Sequence, residues 1–284
     1  MDQADRLATS SRRTMMPDLI PRLISALVLA AIALGLDYAG TIPFAILVSG
    51  LAAVMAWEWG RLVRRKDGDP ALAVHVIAVL VAIAVTVAGF AALACLVLIA
   101  GAMAVVALRL GDQATLSAFG VLYVGIPAVA LVWIRADEPY GALAIVLLFL
   151  AVWCTDTGAY IAGRTIGGPK LWPSISPNKT WSGLAGGVSC AALACAILGA
   201  FLPGTPTFSL AVFGALLGLA AQMGDLAESA LKRRQGVKDA SHLIPGHGGF
   251  MDRLDGLVVA AAVAGLVALV LNVKAPAAAV LMLG

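Results

Sequence analysis

The sequence predicts an all-α polytopic integral membrane protein of about nine transmembrane helices, its N-terminus cytoplasmic and its C-terminus outside. Three observations predict it. Of 284 residues, 61% are hydrophobic and only 12% are charged, against about 25% charged in an ordinary soluble domain, which excludes a water-soluble globule and disorder. The apolar runs are long and unalternating, near the roughly 20 residues that a bilayer-crossing helix needs, where a transmembrane barrel would alternate in roughly ten-residue segments. The basic residues fall almost entirely in alternate connections.

Taken in order, the first run covers 20–36 and follows Arg6, Arg12 and Arg13, with Arg22 at its start. Ser11-Arg12-Arg13-Thr14 reads as the basic flank of a retained helix, because no small-residue cleavage site follows, as a twin-arginine signal would require. The second run, 41–59, closes on Trp57-Glu58-Trp59, where an interfacial aromatic belt accounts for the acid, and Arg61, Arg64, Arg65 and Lys66 follow. The third, 71–89, carries His75 near its start, an interfacial histidine on this reading. Runs at 91–108, 116–134, 141–162, 183–201, 208–230 and 254–272 complete the nine.

With the N-terminus cytoplasmic, 17 of the 19 Lys and Arg lie on that side, Arg135 and Lys274 being the exceptions. The net charge of +3 is then a topology signal with attraction to anionic lipid, and no argument for nucleic acid. Cys95, Cys154, Cys190 and Cys195 lie in apolar runs without zinc-like pairing and read as small hydrophobes.

Polarity divides the chain into a scaffold region, 1–140, and a catalytic region, 141–284, with cytoplasmic loops 163–182 and 230–254. Asp156 sits inside the sixth run, and Asp225 and Glu228 inside the eighth. An ionised carboxylate at the bilayer centre costs about 2.5–3.5 kcal/mol on insertion scales, so each is a site candidate. Asp225, Glu228, Ser229 and Lys232 fall at i, i+3, i+4 and i+7, forming one polar stripe on a helix. Asp252 and Asp255 are likewise three apart. Pairing of these acids with Lys232, Arg233 and Arg253 as helix glue is the bland reading; four carboxylates converging on one face favour a metal site.

The stretch from Ser229 to Asp255 mixes cations, carboxylates and glycines. Lys232, Arg233, Lys238 and Arg253 can neutralise phosphates. Gly246-His247-Gly248-Gly249 offers backbone N–H groups to an anion at a helix entry. Asp225, Asp239, Asp252 and Asp255 supply the hard oxygens Mg²⁺ prefers. The second loop, Ser176-Pro177-Asn178-Lys179-Thr180-Trp181, adds a lysine, hydroxyls and an interfacial tryptophan. Together the loops suit a metal-bound polyphosphate meeting a lipid.

The run S-x-L-K-R-x4-K-D-x-S-x2-I-P-x-H-G-G-x2-D-R-x-D, from Ser229 to Asp255, resembles the signature of the phosphatidate cytidylyltransferases, or CDP-diacylglycerol synthases, with no mismatch at its fixed positions. Asp156-Thr157-Gly158-Ala159-Tyr160 and the Ser176–Trp181 loop are similar to family segments in the same order. The resemblance covers residues 150–256. It departs at Asn178 and Ser182, where many members carry Lys and Glu, so no role of that Glu is carried over to Ser182.

The resemblance implies transfer of the cytidylyl group of CTP to phosphatidate, giving CDP-diacylglycerol and pyrophosphate for phospholipid synthesis, in a multi-pass protein of the cell (inner) membrane. It implies Mg²⁺, with room for a second monovalent or divalent cation, and it admits a homodimer. Carried onto these residues, it makes Asp225, Asp252 and Asp156 metal ligands, with Glu228 in support. Lys232, Lys238 and Arg253 would bind phosphates, His247 with Gly248 and Gly249 would hold the pyrophosphate or α-phosphate, and Ser176, Lys179 and Thr180 would bind nucleotide or head group. A CTP-dependent polyprenol kinase needs the same metal and nucleotide chemistry and is the nearest alternative. An ion-coupled transporter would show paired broken helices in two symmetry-related halves, and here the polarity sits in one half.

Overall fold

A computed structural model describes residues 19–65, 67–108, 113–241, 243 and 248–282, with side chains from Leu27 onward. His247 lies outside the described residues, as do Arg6, Arg12, Arg13, Lys66 and Arg109 and the side chain of Arg22. The elements are α1 (Leu19–Ala39), α2 (Thr41–Arg64), α3 (Pro70–Val87), α4 (Ala91–Ala107), α5 (Ala114–Arg135), α6 (Gly141–Thr165), β1 (Lys170–Trp172), β2 (Ser176–Thr180), α7 (Trp181–Ala200), α8 (Thr207–Arg234), α9 (Met251–Leu271) and α10 (Pro276–Val280). Among the described residues, seven helices are long and apolar enough to cross a membrane: α2, α3 and α5 to α9. The 17-residue α4 and the described part of α1 are apolar but shorter. The chain is therefore a helical, multi-pass membrane protein.

Each long apolar run became one helix, because backbone groups in hydrocarbon are satisfied only within the segment. Local signals set the ends. Asp69 accepts the Leu72 N–H at 2.8 Å with Pro70 in the first turn of α3, and Lys232, Arg233 and Arg234 close α8 at its negative end. Helix α5 is the central element, touching α2, α3, α4 and α9. Close approach elsewhere uses small residues: a Cβ on Gly224 of α8 would run into the Asp255 carbonyl of α9, and one on Gly158 of α6 would lie 2.6 Å from Cys190 Cβ of α7.

Two polar ends result. At one, Arg65 donates to the Gln235 carbonyl at 3.3 Å, and Gln113 donates to Val63 O at 3.1 Å while accepting from Gln235 at 3.1 Å; this is the basic pole. At the other, Arg135 donates to the Asp37 carbonyl at 3.0 and 2.7 Å and stands 2.8 Å from the Asp37 carboxylate, and Asp137 accepts the Ala277 N–H at 2.8 Å.

Local structure adds detail at several of these positions. Loop 163–182 contains an antiparallel hairpin, Lys170 opposite Thr180 and Trp172 opposite Ser176. Glu58 and Trp59 do not face outward as an aromatic belt would: both are buried within the protein, on a helix that continues to Arg64. His75 is also enclosed, at 1% exposure. The four cysteines are free thiols, and only Cys195 is fully buried, while Cys95 faces outward.

Candidate functional site

At the basic pole, α6, α8, α9 and the hairpin bring together most of the residues singled out above. On α8 the i, i+4 stripe holds as drawn: Ser229 Oγ donates to Asp225 Oδ1 at 3.2 Å, and Lys232 Nζ donates to Glu228 Oε1 at 3.1 Å. Lys232 reaches across to α9, 2.5 Å from Asp252 Oδ1. Lys179 comes from the hairpin, 2.7 Å from Asp225 Oδ2 and 3.1 Å from Gln222 Oε1.

The close crossing at Gly224 sets Asp225 beside Asp255. The charge of Asp225 acts on both Asp156 and Asp255, that of Asp255 acts on Glu228, and Lys179 and Arg253 act on Asp156. Three helices thus present carboxylates to one region, with cations around its rim.

An apolar groove of about 580 Å³ runs from this cluster along α1, α2, α5, α6 and α9. Leu27, Ile32, Leu47, Leu51, Phe149 and Leu257 line its length, and Asp156, Thr157 and Arg253 line its polar end. Its lining is almost wholly apolar, and of the clustered carboxylates it includes Asp156.

Not every expected residue is available as expected. The Asp252 carboxylate is taken up: besides Lys232, its Oδ2 accepts the N–H groups of Gly249 at 2.9 Å and Ala240 at 3.1 Å. The Gly249 amide is therefore turned to Asp252 and not offered to an anion. Gly248 adopts φ +84°, a conformation glycine takes without penalty. Thr180 caps α7, accepting the Gly183 N–H at 3.1 Å, and is buried. Ser176, at the turn end of β2, is roughly 10 Å along the strand from Lys179 and is not brought to the carboxylates. Lys238 is exposed and makes no bond among the described residues. Ser182 donates to the Gly167 carbonyl, a tie within the loop.

Sequence reasoning missed Glu58. Its Oε1 accepts from Ser241 Oγ at 2.5 Å and the Phe250 N–H at 3.0 Å, and its Oε2 accepts the Met251 N–H at 2.6 Å. The signal available was its position one turn inside a helix that Arg61 and Arg64 prolong.

The donor set suits a hard divalent cation. It is all oxygen, its carboxylates are charge-coupled, and the buried Glu228 Oε2 has no hydrogen-bond partner among the described residues. No three such side chains there close around one ion by themselves. Mg²⁺ commonly takes one or two carboxylates and completes its shell with water and substrate phosphates, so these residues fit it.

Acids on three helices, with a lysine from α8 and another from the hairpin, beside an apolar groove, are a charged site within a multi-pass membrane protein. Residues 20–271 match the model of the cytidylyltransferase family, and the chain belongs to that family. It is 40% identical over 249 residues to a phosphatidate cytidylyltransferase of Brucella suis, covering 87% of this chain and 92% of the relative. It is 32% identical over 272 residues to the protein of that name in Bacillus subtilis, covering 86% and 95%. A third, from Staphylococcus saprophyticus, is 42% identical over 139 residues, 49% of this chain and 52% of the relative.

Proposed function

We propose that the protein transfers the cytidylyl group of CTP to phosphatidate, forming CDP-diacylglycerol and pyrophosphate at the cytoplasmic face of the inner cell membrane. The observation that carries this reading is the junction of the apolar groove, at Asp156 and Arg253, with the Asp225–Lys179 and Lys232–Asp252 pairs. The near full-length similarity to phosphatidate cytidylyltransferases supports it.

In this reaction a phosphate oxygen of the lipid forms a bond to the α-phosphorus of CTP, and the α–β bridging bond breaks, its electrons leaving with pyrophosphate. The nucleophile is already anionic near neutral pH, so positioning and charge neutralisation matter more than a strong base. Arg253, at the polar end of the groove, would hold the lipid phosphate. Lys179 and Lys232 would exchange their carboxylate partners for CTP phosphates, and Lys238, exposed beside the site, would steer the triphosphate inward.

Mg²⁺, when bound, supplies Lewis-acid neutralisation of the CTP phosphates. Asp225 and Asp156 would hold it, with Asp255 adjacent; Asp252 joins them only as Lys232 releases it. Glu228, whose Oε2 has no hydrogen-bond partner among the described residues, would take a second cation. We place all nine apolar helices across the bilayer with the basic pole cytoplasmic, residues 1–140 as scaffold and 141–284 as the catalytic region.

Purified protein given phosphatidate, Mg²⁺ and CTP labelled in the cytidine or at the γ-phosphate tests the reading. Cytidine label in the lipid is the expected product. Label only from the γ-phosphate would mean a kinase and sink the proposal.

A further inference from the structure

We infer that Glu58, in the N-terminal half, is a positioning residue for this transfer: its carboxylate fixes the entry of α9 and, through it, Asp252 and Lys232. The inference rests on the proposed cytidylyl transfer.

Glu58 is 0% exposed, on α2. Among the described residues it forms no ion pair with Lys, Arg or His. Its carboxylate is held instead by donors: the Ser241 hydroxyl and the N–H groups of Phe250 and Met251. The last two are the unsatisfied first amides of α9, where the positive end of the helix dipole also favours an anion. Phe250 supplies no side-chain cap of its own, so Glu58 caps α9 from another helix.

The same carboxylate grips Ser241 and Phe250–Met251, both flanks of the segment that joins the end of α8 to α9. Gly249 fits against it so closely that a Cβ would lie 2.5 Å from Glu58 Oε1. Within the same stretch, Asp252 accepts the Gly249 N–H and pairs with Lys232. The amides of residues 249–251 are therefore divided between two carboxylates, Gly249 donating to Asp252 of the site and Phe250 and Met251 donating to Glu58 of the first half. Releasing Glu58 leaves Asp252 and Lys232 with a loose backbone beneath them.

Glutamine keeps the size of Glu58 but turns an NH₂ toward backbone donors; aspartate keeps the charge but shortens the reach. If the carboxylate positions the loop by accepting hydrogen bonds, Asp outperforms Gln; if it merely fills space, Gln outperforms Asp.

The test uses full-length protein in detergent with phosphatidate and CTP, measuring kcat, both KM values, thermal unfolding and amide hydrogen exchange across 249–253. Glu58→Gln is expected to lower kcat about 100-fold, the scale of a small misplacement of reacting groups, with unfolding temperature little changed and exchange at 249–252 accelerated. Glu58→Asp should recover part of that loss. Ser241→Ala, which removes one donor of three, should lower kcat roughly fivefold, and it carries the test should Glu58→Gln not fold. Retention of kcat within threefold in Glu58→Gln, or Gln outperforming Asp, overturns the inference. Failure of the wild-type protein to make a cytidine-labelled lipid would instead overturn the proposed function, while the exchange rates at 249–252 would still report on these hydrogen bonds.

Discussion

Lys179 Nζ lies 2.7 Å from Asp225 Oδ2, joining the hairpin after α6 to the start of the polar stripe on α8. The lysine is mostly enclosed while the aspartate stays about two-fifths exposed, so the pair is partly open to solvent. Charge-assisted contacts of this kind contribute about 1.5–3 kcal/mol. We predict that Lys179→Met lowers kcat/KM for CTP on the order of tenfold to a hundredfold with little change in thermal stability. Steady-state kinetics at saturating phosphatidate check this; an unchanged kcat/KM would remove Lys179 from the site.

The carboxylates of α6 and α8 lead to a second prediction. Asp156 and Asp225 feel each other's charge, and relief by a cation is the natural remedy. Chelation of Mg²⁺ should abolish turnover reversibly, and Asp225→Asn should raise the Mg²⁺ concentration for half-maximal activity at least tenfold. A magnesium titration of the variant that overlays wild type would show that Asp225 holds no metal.

The helices were legible because hydropathy runs of bilayer length have one outcome in lipid: 91–108 became Ala91–Ala107 and 141–162 became Gly141–Thr165. The stripe from Asp225 to Lys232 was legible for the same reason, since helical spacing alone puts it on one face. Two things were not. Asp252 and Asp255 have equivalent spacing, and only the crossing of α8 and α9 at Gly224 decides that Asp255 sits beside Asp225 while Asp252 turns to Lys232. Glu58 between two tryptophans matches an interfacial pattern, and its partners lie more than 180 residues away. Contacts of that range leave no local mark.

Lys232 bridges two acids that have almost no access to solvent, Glu228 at 1% and Asp252 at 8% side-chain exposure. Lys232→Met would leave both without their cation, and breaking a buried pair in this way costs about 3–5 kcal/mol. We expect a markedly lowered unfolding temperature together with loss of activity. Adding Glu228→Gln should restore part of the stability and none of the activity; differential scanning of single and double variants gives the coupling.

Gly249→Ala should be more damaging than Gly248→Ala despite the positive φ of Gly248. The left-handed conformation costs a non-glycine residue about 1–2 kcal/mol, and the Cβ at 248 would meet Asp252 Oδ2 at 3.1 Å. At 249 the Cβ would meet Glu58 Oε1 at 2.5 Å and Ser241 Oγ at 3.0 Å, both held in place by hydrogen bonds. Activity per folded molecule is the readout, and a Gly249→Ala enzyme as active as Gly248→Ala would contradict so tight a contact.

The far pole provides the contrast. Arg135 is 3% exposed and Asp37 1%, and the guanidinium ties the end of α1 to the end of α5 through both the carboxylate and the carbonyl of Asp37. None of the groove or the carboxylate cluster touches this pair, so its contribution belongs to assembly of the bundle. Arg135→Gln leaves Asp37 buried without its cation, a loss of about 3–5 kcal/mol on the same reasoning as for any broken buried pair. The expected result is a large fall in unfolding temperature in detergent, with kcat and both KM values of the surviving folded protein within twofold of wild type. A selective fall in kcat at unchanged stability would mean that the two poles are coupled through α5, the one helix that packs on α2, α3, α4 and α9 alike.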